Sequence, residues 1–250
     1  MAGQAIIETK DLSRVYNHHR AVDEVSFHIE EGEVFGFLGP NGAGKTTTLL
    51  MLMGLTRPTS GTARVCGLDP VRQAKAVKAQ VGYLPENVGF YGDLNAVQSL
   101  EYIADLNALA RREAAEKIRD VLEVVGLKES MGKKVGTFSR GMRQRLGIAE
   151  VLLKDPKVMF LDEPTLGLDP DGAIRIIELI QALNRDRNMT VLLSSHNLYQ
   201  VQKISHRVGI MITGRMVAED SIEALGKEKL GVEGQEYSLE EIYMKYFQEV

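Results

Sequence analysis

The stretch EVFGFLGPNGAGKTTT, residues 33–48, decides the fold. Its first half is an apolar run of buried-strand type; its second half is glycine-rich and closes on a lysine followed by threonines. Gly39, any four residues, then Gly44-Lys45-Thr46 is the phosphate-binding loop pattern, and a strand before it with a helix after it is the context it needs. Glycines let successive backbone N–H groups point into one concavity, and the opening helix adds the positive end of its dipole. Gly39, Pro40, Asn41, Gly42, Ala43, Gly44, Lys45, Thr46 and Thr47 are thus the candidate cradle. Lys45 is of the type that reaches the β- and γ-phosphates, and the Thr46 hydroxyl is of the type that binds Mg²⁺. A ligand-free Gly-rich turn is the bland alternative, and the flanking strand and helix argue against it. The chain is expected to bind a nucleoside triphosphate.

Two further runs have the same character, KVMFLDE (157–163) and TVLLSSH (190–196). Neither alternates, so both read as strands covered on two faces, as in a parallel sheet. Helical patterns follow each, which is the α/β arrangement, and ligands in such sheets sit at the carboxyl ends of the strands. A fourth run, RVGIMITGR (207–215), extends the sheet. Asp162 ends the second run where it can hold Mg²⁺ through its water shell; Glu163 points another way and is a candidate base for an attacking water. An isolated Asp-Glu pair is often only a solvated strand end, but Lys45 in the same chain weighs against that. His196 closes the third run. Alone it would read as a polar strand terminus; on a strand beside that of Asp162 its imidazole faces the γ-phosphate.

The first 30 residues read differently: AIIETK (5–10) and VSFHIE (25–30) alternate in part and suggest a small antiparallel sheet, continued by TARVCG (62–67). From about residue 94 to 153 the pattern is helical, with Leu94, Val97, Leu100, Ile103 and Leu106 recurring at threes, then Ile118, Val121, Leu122 and Val125 until Gly126. Near the end, Ser238 and Glu241 in SLEEIYMKYF have capping-box spacing. The expected class is α/β: a P-loop NTPase core with a mostly parallel sheet, a small N-terminal antiparallel β subdomain and an inserted helical subdomain. In one domain spanning 1–250, residues 1–93 and 154–220 form the core with its antiparallel part, 94–153 the helical insert, and 221–250 a helical tail.

With 250 residues, 44% of them hydrophobic and 26% charged, the chain can bury a full core. A net charge of −4 gives no electrostatic case for nucleic acid as the main partner. The single Cys66 rules out an internal disulfide and fits a reducing compartment. MAGQAIIETKDLSR at the start lacks the basic head and apolar core of a signal peptide, and no apolar run approaches the roughly 20 residues of a membrane span. The expectation is a soluble protein, or one peripheral to a membrane.

TFSRGMRQRLGIA, residues 137–149, reads as a helix start with Ser139 as cap and Leu146, Ile148 and Ala149 facing inward. Serine and glycine at a helix N-terminus make a second anion site, which is surplus unless it serves another copy of the chain. Here a family resemblance enters. Phe138-Ser139-Arg140-Gly141-Met142 resembles the ABC-ATPase signature, usually Leu-Ser-Gly-Gly-Gln, and it stands just upstream of the Asp162-Glu163 strand as in that family. TLGLD (165–169), ending on Asp169, resembles the D-loop, and His196 the switch histidine. Tyr16 matches the aromatic that stacks on adenine, with a half-buried strand tyrosine as its structural alternative. The likeness covers residues 5 to about 220.

The resemblance implies ATP and Mg²⁺ as cofactors and a head-to-tail pair of nucleotide-binding domains. Ser139 and Gly141 would meet the γ-phosphate held by the other copy's Lys45, closing on ATP and reopening after hydrolysis with Glu163 as base. A homodimer is the economical expectation. It further implies separate transmembrane permease subunits and a cytoplasmic, peripheral place on the inner face of the cell membrane. FSRGMRQR and SLEEIY resemble the branch working with ABC-2-type membrane subunits, usually exporters, and LPENVGFY (84–91) is similar to a loop in the ATPase accompanying nitrous-oxide reductase maturation. No nucleic acid is expected. A soluble ABC ATPase acting on nucleic acid or ribosomes, and a nucleotide-gated scaffold that barely hydrolyses, are the rival readings. Three residues depart from the family pattern: Arg140 for glycine, Met142 for glutamine, and Glu86 for the Q-loop glutamine, where a carboxylate becomes a candidate Mg²⁺ ligand at the hinge to the helical block.

Overall fold

The computed structural model describes residues 5–231 and 238–248. The first four residues of the N-terminal reading and residues 232–237 and 249–250 of the expected tail lie outside them. The chain opens with β1 (Ala5–Tyr16), β2 (His19–Glu30) and β3 (Val34–Leu38), then α1 (Lys45–Leu52), β4 (Ser60–Val65), α2 (Ala74–Gln80) and β5 (Val81–Leu84). A helical stretch follows, α3 (Ala96–Leu106), α4 (Arg111–Val124) and α5 (Arg140–Leu152). The chain then returns through β6 (Val158–Asp162), α6 (Pro170–Arg187), β7 (Thr190–Ser195), α7 (Leu198–Ile204), β8 (Arg207–Ile212), β9 (Arg215–Ser221), α8 (Ile222–Leu230) and α9 (Leu239–Gln248).

Two sheets result: a three-stranded antiparallel one ordered β2-β1-β4, and a six-stranded one ordered β5-β6-β7-β3-β8-β9. All pairings in the large sheet are parallel except β8 with β9. The pleat explains why its inner strands carry unbroken apolar runs, because successive side chains serve opposite faces. Phe35, Phe37, Phe160 and Leu192 face a core shared with the small sheet and α1. Val34, Leu38, Met159, Leu161, Val191 and Leu193 face a second core closed by the helices. Three rings, Phe27 of β2 with Phe35 and Phe37 of β3, sit with centroids 5.4–6.3 Å apart and join the two sheets.

Two expectations need adjusting. A strict repeat of three drifts around a helix of 3.6 residues per turn, so Leu106 leaves the apolar stripe of α3 and is 67% exposed, while Ala96, Ser99, Leu100 and Ala104 are buried. The run at 207–215 is not one strand: Thr213 and Gly214 both take positive φ, 47° and 86°, and the chain doubles back as β9. The capping box forms, with Glu241 N–H donating to Ser238 Oγ at 3.2 Å and Ser238 N–H to Glu241 Oε2 at 2.8 Å.

Candidate nucleotide-binding site

The carboxyl ends of β3, β6 and β7 meet at one edge of the large sheet, and the site is built there. Gly39 leaves β3 at φ 152°, where a Cβ would lie 2.2 Å from the Met211 carbonyl oxygen. Gly44 opens α1 at φ 102°, and its Cβ would lie 2.3 Å from the Ala21 carbonyl oxygen. No other residue type fits either position without moving backbone. Between them the loop wraps the start of α1, where unpaired N–H groups and the dipole suit an anion.

Lys45, the first residue of α1, is buried and donates from Nζ to the carbonyls of Gly39 at 2.6 Å and Pro40 at 3.1 Å. Burial pulls its pKa down, opposed by the carboxylates of Glu163 and Asp162. Glu163 Oε1 lies 4.0 Å from Nζ and is buried without a hydrogen-bond partner. Thr46 Oγ1 donates to Asp162 Oδ2 at 2.8 Å and lies 3.1 Å from Oδ1. A hydroxyl and a carboxylate sharing one point are oxygen donors of the kind Mg²⁺ accepts, so these residues fit that ion. Among the described residues no group of three His, Cys, Asp or Glu could hold a metal; such a site leaves its remaining coordination to phosphate and water.

Glu163 follows Asp162 at φ 48°, a left-handed value rare outside glycine, and this turn sends the two acids in different directions. Glu163 Oε2 accepts from His196 Nδ1 at 2.9 Å and lies 3.4 Å from the His196 backbone N–H. Parallel pairing of β6 with β7 sets Asp162 opposite Ser194. Ser194 Oγ donates to Asp162 Oδ1 at 2.5 Å and accepts from the Glu163 N–H at 3.1 Å. Tyr83, on neighbouring β5 and paired with Phe160 of β6, lies near enough for the Asp162 charge to act on its phenol. Its phenol is pushed up to about 12, chiefly by burial and then by the negative charge of Asp162.

A cavity of about 300 Å³ brings together Tyr16, Asn41 to Thr47 of the loop, Glu86, Asp162 and Glu163. Gly39 and Pro40 lie behind it as the carbonyls that hold Lys45. Tyr16, 40% exposed at the end of β1, has the Arg14 guanidinium 4.3 Å from its ring centroid. Glu86 follows β5, exposed, and also lines a smaller cavity of about 180 Å³ with Arg140 and Arg143. His196 is not among the residues lining the cradle cavity and is tied to it through its bond to Glu163. Ser139, Gly141 and Asp169 are not among the residues lining the cradle cavity. Ser139 caps α5 by accepting from the Met142 N–H at 3.2 Å, Gly141 faces Gly172, and Asp169 precedes the first turn of α6. Two residues of the site were missed by sequence reasoning, Ser194 and Tyr83. Ser194 sits inside a run read only as strand, Tyr83 in a stretch given no structural reading, and the proximity of each to Asp162 depends on sheet register rather than on spacing in the chain.

The ABC transporter family matches residues 22–166. The chain belongs to that family. It is an ATP-binding ATPase subunit of the ABC transporter type. It is 41% identical over 222 residues to the bacitracin transport ATP-binding protein BcrA of Bacillus licheniformis, covering 89% of this chain and 72% of that one. It is 36% identical to the Nod factor export ATP-binding protein I of Paraburkholderia xenovorans, covering 91% and 75%. A solved ATP-binding subunit of an ABC transporter superposes with TM-score 0.84 at 28% identity, over 97% of this chain and 99% of that one. No helix among the described residues of this ABC subunit is long and apolar enough to cross a membrane.

The raised Tyr83 pKa carries a stability consequence with a definite sign. A proton held more tightly in the folded state than at the ordinary value of 10.0 stabilises the fold below about pH 10, and that stabilisation is lost as pH rises through about 12. The stability difference between wild type and Tyr83→Phe, measured by urea unfolding, is expected to shrink across that window. A difference that stays constant would contradict the assignment.

Proposed function

We propose that this subunit hydrolyses ATP to drive export through separate membrane subunits, working as a head-to-tail homodimer. The observation that carries the reading is the separation, within one chain, of two anion-binding elements: the cradle at Lys45, and the Ser139-capped start of α5 that lies outside it. A second copy supplies the missing half. Lys45 and the loop N–H groups bind the β- and γ-phosphates, Tyr16 stacks on the adenine, and Ser139, Gly141 and Asp169 meet the ATP held by the partner copy. Residues 1–93 with 154–220 act as the catalytic core, 94–153 as the helical insert bearing the signature helix, and 221–250 as a tail.

Glu163 takes the proton from the attacking water as its oxygen bonds to the γ-phosphorus and the bond to the ADP oxygen breaks. His196 holds the Glu163 carboxylate at 2.9 Å and keeps it aimed. Thr46 and Asp162 would hold Mg²⁺, which when bound neutralises phosphate charge. Glu86 approaches the same ion when ATP is bound. At about 4 Å and an effective dielectric near 20, a unit charge there is worth about 4 kcal/mol, so its carboxylate is a strong bias in either direction.

The export direction and the ABC-2 type of the membrane partner are supported by the likeness to a Nod factor export subunit and by the FSRGMRQR motif. Such a subunit sits on the inner face of the cell membrane.

Glu163→Gln is expected to lower phosphate release by at least about 10²-fold, the usual worth of a general base, and to trap an ATP-bound dimer on size exclusion. Wild-type turnover in that variant would sink the assignment of the base. Glu86→Gln is expected to raise the Mg²⁺ concentration needed for half-maximal hydrolysis, and an unchanged Mg²⁺ titration removes Glu86 from the metal site. Affinity purification from membranes in several detergents should recover a polytopic partner; recovery of none contradicts the transporter role.

A further inference from the structure

Glu163 holds a backbone conformation that side chains other than glycine avoid, so something must hold it there. Both acceptors for its N–H belong to a single residue: the Ser194 carbonyl at 3.1 Å and the Ser194 hydroxyl at 3.1 Å. The same hydroxyl passes its own proton on to Asp162 Oδ1 at 2.5 Å, while Thr46 donates to Oδ2. A directional chain therefore runs from the Glu163 N–H through Ser194 Oγ to the Asp162 carboxylate. Ser194 is fully buried, so water cannot stand in for its hydroxyl. Polarisation along such a chain strengthens each bond beyond its isolated worth.

We propose that Ser194 is a positioning residue for ATP hydrolysis, its hydroxyl locking Asp162 and the turned backbone of Glu163 into one rigid unit. Oδ1 of Asp162 takes the Ser194 hydroxyl, which leaves Oδ2 with the shorter of the two Thr46 contacts, 2.8 Å against 3.1 Å. The Glu163 side chain leaves the strand end at a fixed angle and meets His196 only because its own N–H is anchored. Ser194 is buried and does not line the cradle cavity, so it acts through the two acids. The inference rests on the roles proposed above for Asp162 and Glu163 and goes beyond them by naming what sets their relative geometry.

Ser194→Thr and Ser194→Val test this, because they differ in little but a hydroxyl against a methyl and impose the same steric load on the strand. The Thr variant is expected to keep a kcat within about threefold of its own Ser parent, and the Val variant to lose about 10- to 100-fold relative to Thr, the range seen when an outer partner of a metal-site ligand is removed. KM for ATP should stay within about threefold, since the cradle is untouched, and this split separates positioning from binding. A second readout does not depend on turnover. In a fluorescent ATP-analogue titration with Mg²⁺ or with EDTA, the tightening produced by Mg²⁺ should be smaller in the Val variant than in the Thr variant. Equal kcat and equal Mg²⁺ tightening in the two variants, at any level and whatever their melting temperatures, overturns the proposal. If Glu163→Gln turns over normally, the reading of the acids fails; if it is inactive while Thr and Val match, only the role of Ser194 fails.

Discussion

Register between β6 and β7 is the constraint on which the rest of the site depends. In a parallel pair each residue has a fixed neighbour, and here Asp162 falls beside Ser194, with His196 two residues further along the same strand end. A slip by one residue would reverse every side chain in the strand, exchanging Phe160 for Leu161 between two differently shaped cores. The packing that forbids the slip thus also sets the spacing of the acids. The geometry of the two acids and core burial are one problem with one solution, and neither can drift without the other.

The two cores divide labour. One joins the large sheet to the small antiparallel sheet and α1, and so stabilises the loop that receives phosphate. The other lies under the helices and so supports α5, whose start Ser139 caps. Because alternate residues of β6 belong to different cores, the strand that ends in Asp162 is gripped from both sides. Motion of the helical block relative to the sheet would be felt at that strand end without passing through solvent-exposed loops.

Much of this was legible in the chain. Strands covered on both faces leave unbroken apolar runs, so β3, β6 and β7 stand out, and the phosphate loop announces itself because only glycine tolerates its backbone. The edge strand β9, RMVAEDS, was not legible: it is partly exposed, mixed in polarity and distinguished only by the turn at Thr213 and Gly214. Leu106 misled because a repeat of three resembles a helical stripe over short distances and departs from it over longer ones. The cradle residues could be named in advance; the hydrogen-bond chain through Ser194 could not, since Asp162 and Ser194 are 32 residues apart and only sheet register makes them neighbours. Tyr83 escaped notice for the same reason.

The close approach of Gly39 to the Met211 carbonyl and of Gly44 to the Ala21 carbonyl has a thermodynamic consequence. Both ends of the loop are wedged against backbone from β2 and β8, strands that belong to the rigid part of the molecule. Fixing one residue's backbone costs about 1–2 kcal/mol of entropy, and for this loop that cost falls on folding, where hydrophobic burial on two faces offsets it. Capture of a triphosphate at this loop would then require little further ordering of the cradle, removing one of the costs that binding otherwise carries. The glycines that make the loop permissive in the unfolded chain are, in the folded one, what allows its neighbours to make it stiff.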